Sequence, residues 1–176
     1  MKISTKTGDA GKTKLMFGRD VFKCDQRVCA YGALDDFSAT LGLARSFAGE
    51  DLSTFIKNIQ QKLVFLMTEL ATSNEDFNKL EEKNLRLIGD GDLEEIENKI
   101  DSIERDSTIF DGWTYSGETH LHAALEMSRA RCRAAEREIV RLNMQTPLPR
   151  KMPLVYINRL SDLLWLLAQQ SIKDKS

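Results

Sequence analysis

The chain of 176 residues carries 25 Lys and Arg against 27 Asp and Glu, a formal net charge of −2, with 41% hydrophobic residues. That balance excludes a general electrostatic pull towards nucleic acid or an anionic membrane, and no run approaches the roughly 18 apolar residues of a membrane span. Cys24, Cys29 and Cys132 are odd in number and lack CxxC spacing, which argues against a disulfide framework and against a zinc site.

The opening MKISTKTGDAGK has no apolar centre of the kind a secretory signal needs, so a reducing cytoplasm is expected. Six of the 10 glycines fall before residue 50 and there are only 3 prolines, a scarcity of breakers that favours long helices. The first helix is expected over about Gln26 to Ser46, with Val28, Tyr31, Leu34, Leu41 and Ala44 near a helical period. The second follows Asp51 as N-cap and carries Ile56, Ile59, Leu63, Leu66 and Leu70, the alternation of threes and fours that makes a bundle seam. Residues 72–87 are polar and aperiodic and read as a loop or short helical pieces. A third helix starts near Asp92, with Leu93, Ile96, Ile100 and Ile103 in the same rhythm, and 108–117 again lacks a period. The fourth, about Glu118 to Asn143, repeats Leu121, Leu125, Ser128, Cys132, Ala135, Ile139 and Leu142. Pro147, Pro149 and Pro153 mark the last connection before a fifth helix that runs to about Gln170. No strand and no internal repeat is evident. The expected fold is all-α, one five-helix bundle over 25–174 with a partly ordered segment 1–24 before it.

Chemistry has four candidate places. The segment Thr5 to Thr13 packs hydroxyls, lysines and glycines closely enough to cradle phosphate, glycine letting backbone N–H groups approach the oxygens and lysine supplying charge. It is not a Walker A loop, because position 6 is Lys6 where that motif needs glycine; a polar tail is the plainer reading. On the fourth helix Arg129, Arg133, Glu136 and Arg137 share one side, next to the core seam. They read as a polyphosphate clamp, as a subunit contact, or as a solvated face laced with ion pairs such as Arg133 with Glu136. Asp35 borders the seam of the first helix, where a carboxylate calls for an arginine of another helix or else for solvent. Asn158, four residues before Asp162, stands beside the core of the fifth helix as a hydrogen-bonding handle or a local cap. His120 and His122 lie on different faces, cannot make a two-histidine metal site, and are expected at the surface.

In chain order these segments resemble the PduO-type ATP:cob(I)alamin adenosyltransferases over nearly the whole length. The resemblance rests on a TKTGDxGxT-like opening at Thr5 to Thr13, on Gly18 and Lys23, and on RVCAYGALDDFS at residues 27–38. It continues with Arg129 to Arg137 for a helix motif R-x-x-C-R-R-A-E-R, and with Ile157 to Asp162 for a terminal L-N-R-L-S-D. It implies a homotrimer with active sites between subunits, taking ATP, magnesium and cobalamin. Thr5, Lys6, Thr7, Gly8, Thr13 and Lys23 would hold the triphosphate, and Arg133, Glu136, Arg137 and Asn158 would complete the nucleotide site. Asp35 would pair with Arg133 beneath the corrin, and Trp113 would crowd the lower face of the cobalt or cap the bundle as core. Asp35, Arg133 and Arg137 are the expected catalytic group, with no metal bound by protein ligands. A reductase and an adenosylcobalamin-dependent enzyme are the implied partners.

The chain departs from the family pattern at Ala134, where a second arginine is usual, at Asp36-Phe37-Ser38, and in the loop Trp113 to Gly117. These departures keep a non-catalytic corrinoid or nucleotide carrier or sensor open as the alternative. A purely structural bundle is the third possibility, against which the phosphate-type opening argues.

Overall fold

The computed structural model describes residues 8–105 and 115–173, and the expectations for Thr5, Lys6, Thr7 and Trp113 fall outside them. Five long helices match the sequence periods: α1 (Gln26–Phe47), α2 (Glu50–Leu70), α4 (Asp90–Glu104), α5 (His120–Gln145) and α6 (Met152–Lys173). A five-residue α3 (Asn78–Glu82) follows the 3-10 turn Asn74–Asp76, so 72–87 is built of short helical pieces.

Around the bundle α1 packs between α2 and α5, and α6 packs between α5 and α4. The ring closes where Lys62 of α2 meets Asp92 at 3.5 Å and Glu95 at 2.5 Å on α4. Leu34, Phe37 and Leu41 of α1, Leu63 and Leu66 of α2, Ile96 of α4, Leu125 and Ile139 of α5, and Ile157 and Leu160 of α6 form one buried core. Each such side chain removed from water stabilises the fold by about 1.5–3 kcal/mol before entropy is counted. Half of the face α5 turns to the core is small (Ala124, Ser128, Cys132, Ala135), which allows close approach of its neighbours there. Cys132 is fully buried, as its place on the apolar stripe requires; its Sγ lies 3.4 Å from the Ile157 carbonyl oxygen, and burial pushes its thiol pKa up.

Three expectations are corrected. The segment before α1 contains strands: β1 (Lys12–Lys14) and β2 (Asp20–Phe22) form an antiparallel hairpin with Thr13 opposite Val21. Its turn needs positive φ at Phe17 (64°) and at Gly18 (89°), and Met16 N–H donates to the Ala71 carbonyl at 2.9 Å, tying the hairpin to the end of α2. Asp51 is not the N-cap of α2; extended Gly49 is, and Glu50 and Asp51 fill the first turn, where the helix dipole favours acids. His122 is not at the surface but wholly buried, whereas His120 is exposed and stacks on Phe47 with ring centroids 5.4 Å apart.

Candidate functional site

α1 and α5 run antiparallel, with Gln26 against Glu138 at one end and Phe47 against His120 at the other. Gln26 Nε2 donates to the Glu138 carboxylate at 2.9 Å and to the Glu138 carbonyl at 3.2 Å. That register sets Tyr31 about level with Arg133 to Glu136. Burial raises the pKa of the Tyr31 hydroxyl, and neighbouring Thr13 of β1 acts in the opposite direction. The hairpin is thereby held on the half of α1 that adjoins the arginine-bearing half of α5.

Upstream of β1 the chain bends at Gly8 to Gly11, where Gly11 N–H donates to the Gly8 carbonyl at 3.2 Å and Gly11 has φ 74°. Lys23 N–H donates back to the Gly11 carbonyl at 2.9 Å. The Lys23 ammonium lies 3.1 Å from where a Cβ on Gly8 would sit, so glycine leaves room for this cation over the turn. Gly8, Thr13 and Lys23, three of the nominated phosphate ligands, are therefore gathered in one small substructure.

On α5, Glu136 Oε1 accepts from Asn158 Nδ2 of α6 at 2.9 Å. Arg137 Nη1 donates to the Arg133 carbonyl at 3.1 Å, and both arginines are exposed. The flanking arginines are engaged: Arg129 grips Glu126 through two hydrogen bonds of 3.0 and 2.8 Å, and Arg141 pairs with Glu138. Among the described residues Arg133 and Arg137 form no ion pair, so the ladder of charge pairs along α5 is interrupted at these two guanidinium groups. Fork-shaped donors left in this state are suited to a multiply charged anion.

Asp35 is exposed and forms no ion pair with Arg133 within the chain, because the α1–α5 register sets it nearer the level of Arg129. Among the described residues no group of three or more His, Cys, Asp or Glu is assembled to hold a metal ion. No described helix is long and apolar enough to cross a membrane.

Arg27 was not singled out from the sequence. It is 6% exposed, donating to the Leu70 carbonyl at 3.2 Å and to Asn74 Oδ1 at 2.6 Å. Burial lowers its pKa, against the neighbouring charges of Asp25 and Glu75. With Arg19, Asp25, Gln26 and Glu75 it lines a polar cavity of about 260 Å³ beneath the hairpin. The signal was present: Arg27 shares the helical phase of Ala30, Leu34 and Leu41, a charge on a core position. Tyr31, inside the AYG motif, was likewise legible only as a core-seam residue.

A model of the family described as cobalamin adenosyltransferase matches residues 3–171. The corrinoid adenosyltransferase PduO of Salmonella typhimurium is 35% identical over 99% of this chain, and the chain spans about half, 51%, of that relative. A second relative, a corrinoid adenosyltransferase of Citrobacter freundii, is 31% identical over 96% of this chain and 93% of its own length. Among solved structures, a variant of the PduO-type ATP:corrinoid adenosyltransferase of Lactobacillus reuteri, complexed with cobalamin and ATP, superposes with a TM-score of 0.89 at 31% identity. The match covers 99% of this chain and 95% of that one.

Proposed function

We propose, from the premise that this chain belongs to the cobalamin adenosyltransferase family, that it transfers the 5′-deoxyadenosyl group of ATP to the cobalt of cob(I)alamin or a related corrinoid and releases triphosphate. The observation that carries the reading is the placement of two regions along one half of α1: Thr13 of the turn neighbours Tyr31, and Gln26 bonds to Glu138 of the arginine-bearing α5. Thr5, Lys6 and Thr7 extend the first region in sequence.

In this reaction the cobalt electron pair forms a bond to the 5′ carbon while the carbon–oxygen bond breaks, and triphosphate leaves with the electrons of that broken bond. No protein base is required. Lys23 and the glycine turn grip the phosphates, and Arg133 and Arg137 neutralise charge growing on the leaving group. Glu136 and Asn158, already bonded to each other, fix the nucleoside end. Magnesium, when bound with the nucleotide, would neutralise part of the phosphate charge. Asp35 and Trp113 act on the corrin side, Trp113 by apolar crowding.

The proposal extends to a homotrimer with sites between subunits, with 1–24 as the nucleotide segment and 25–174 as the bundle. Exposed Leu43 and Phe47 on α1 and Met127 and Val140 on α5 supply apolar surface for such contacts. A cytoplasmic setting, with electrons from a reductase and delivery to an adenosylcobalamin-dependent enzyme, belongs to the same reading.

The test mixes the protein with ATP, magnesium and chemically reduced cobalamin and follows the cob(I) absorbance. Adenosylcobalamin at a rate proportional to enzyme is expected, and its absence with enzyme in excess ends the claim. Nucleotide or corrinoid binding by calorimetry without turnover would instead mark a carrier or sensor, the reading motivated by Ala134 and the loop at Trp113. Sedimentation reads the assembly, and a monomer at micromolar concentration rules out the shared site.

A further inference from the structure

Two cysteines meet at the entrance to α1. Asp25 is the N-cap of that helix, its carboxylate accepting from Arg27 N–H at 2.8 Å. Cys24 is therefore the residue just before the cap and Cys29 the fourth inside the helix. These two positions turn their side chains towards each other and, when apolar, staple the incoming chain to the first turn. Here the staple is made of thiols: Cys29 Sγ lies 3.9 Å from the Cys24 carbonyl oxygen, and both residues are exposed. Exposure separates them from Cys132, which is sealed in the core.

We propose that Cys24 and Cys29 are a site of reversible thiol oxidation, closing to a disulfide that clamps the N-terminal turn to α1. The co-reactant is a low-molecular-weight disulfide. One cysteine thiolate attacks a sulfur of that disulfide and forms a mixed disulfide, and the departing thiolate takes the electron pair and a proton. The second cysteine thiolate then attacks the protein sulfur, forms the Cys24–Cys29 bond and expels the other half as thiol. Two protein thiols are oxidised and one small disulfide is reduced to two thiols. The consequence follows from Lys23, which directly precedes Cys24. Its N–H bonds to Gly11 and its ammonium covers Gly8, so the bond fixes the end of the turn that carries this cation.

Neither the link nor the clamp rests on the proposed transferase reading, so a failed cross-link and a failed activity assay are separate results. The folded protein is incubated with oxidised glutathione, alkylated, digested with trypsin and analysed by mass spectrometry. Cleavage after Lys23, Arg27 and Arg45 separates the two cysteines, and the expected product is peptide 24–27 joined to peptide 28–45. The link is lost in Cys24→Ser and in Cys29→Ser, Cys132 stays unmodified, and amide exchange at 8–13 slows several-fold in the oxidised form. Separate glutathione adducts on Cys24 and Cys29 with no joined peptide, or joining only after denaturation, overturns the assignment. A joined form with unchanged exchange at 8–13 overturns the clamp.

Discussion

A methyl group added at Gly8 would lie 3.1 Å from Lys23 Nζ and 3.3 Å from its Cε, so the Gly8→Ala variant must push the ammonium aside. The displaced atoms end a flexible side chain, which makes the cost functional and not structural. KM for ATP rises by up to about tenfold, the worth of one charged hydrogen bond, while Tm stays within error; steady-state kinetics and a thermal melt check both. Removing a guanidinium that touches the leaving group is more severe, and Arg137→Ala lowers kcat by about 10²-fold with little change in stability. Asp76 sets a pH dependence. Hydrogen bonds from Lys79 (2.8 Å) and Ser73 (3.0 Å), then Arg19 (3.2 Å), lower its pKa from 3.8 to about 2. A depressed pKa means stability that is present above the unfolded value and lost as pH falls towards the folded one. Denaturation midpoints therefore drop between about pH 4 and 2, and in Asp76→Asn that limb flattens and the midpoint at neutral pH is lower.

The five long helices were legible because each carries an unbroken apolar seam, and an error of one or two residues at an end does not move a seam. Their caps were less so: Asp51 looked like an N-cap by residue type, but Gly49 adopts the extended conformation a cap needs, with ψ 168°. The hairpin was invisible for a physical reason. Its strands are three residues each, KTK and DVF, with only the middle residue half-buried, too short for a period of two to register. Its stability comes from contacts distant in sequence, to Ala71 and Tyr31, which no local pattern encodes. At α5 the cap is Thr119, whose Oγ1 accepts from His122 N–H at 2.9 Å. Thr119→Ala costs about 1 kcal/mol, a fall of about 2–4 °C in Tm for a chain of this size, read by calorimetry with activity retained.

At the scale of the bundle, helical phase sets Arg129, Arg133, Glu136 and Arg137 on one side of α5, whereas the bond from Asn158 of α6 to Glu136 is a packing contact that phase alone does not give. What phase cannot supply is which helix covers which turn, so the surface position expected of His122 does not hold and the residue lies wholly buried. Assembly order also decides Asp35: only the register of α1 on α5 reveals that it does not meet Arg133 within the chain. The small residues between α5 and its neighbours make that packing intolerant of bulk. Ala135→Leu, at a fully buried position, overpacks the core at a cost of about 1–3 kcal/mol, seen as an earlier denaturant midpoint, and lowers activity by tilting the helix that carries the arginines.

The unbroken course of α5 from His120 to Gln145 has one more effect. Arg129, Arg133 and Arg137 stand on it like marks on a ruler, each about 6 Å beyond the last. Their phase is inherited from every residue between the cap and the first mark. Inserting a single alanine there would rotate all three by about 100° relative to the preceding turns, aiming them at different neighbours while every side chain remained intact.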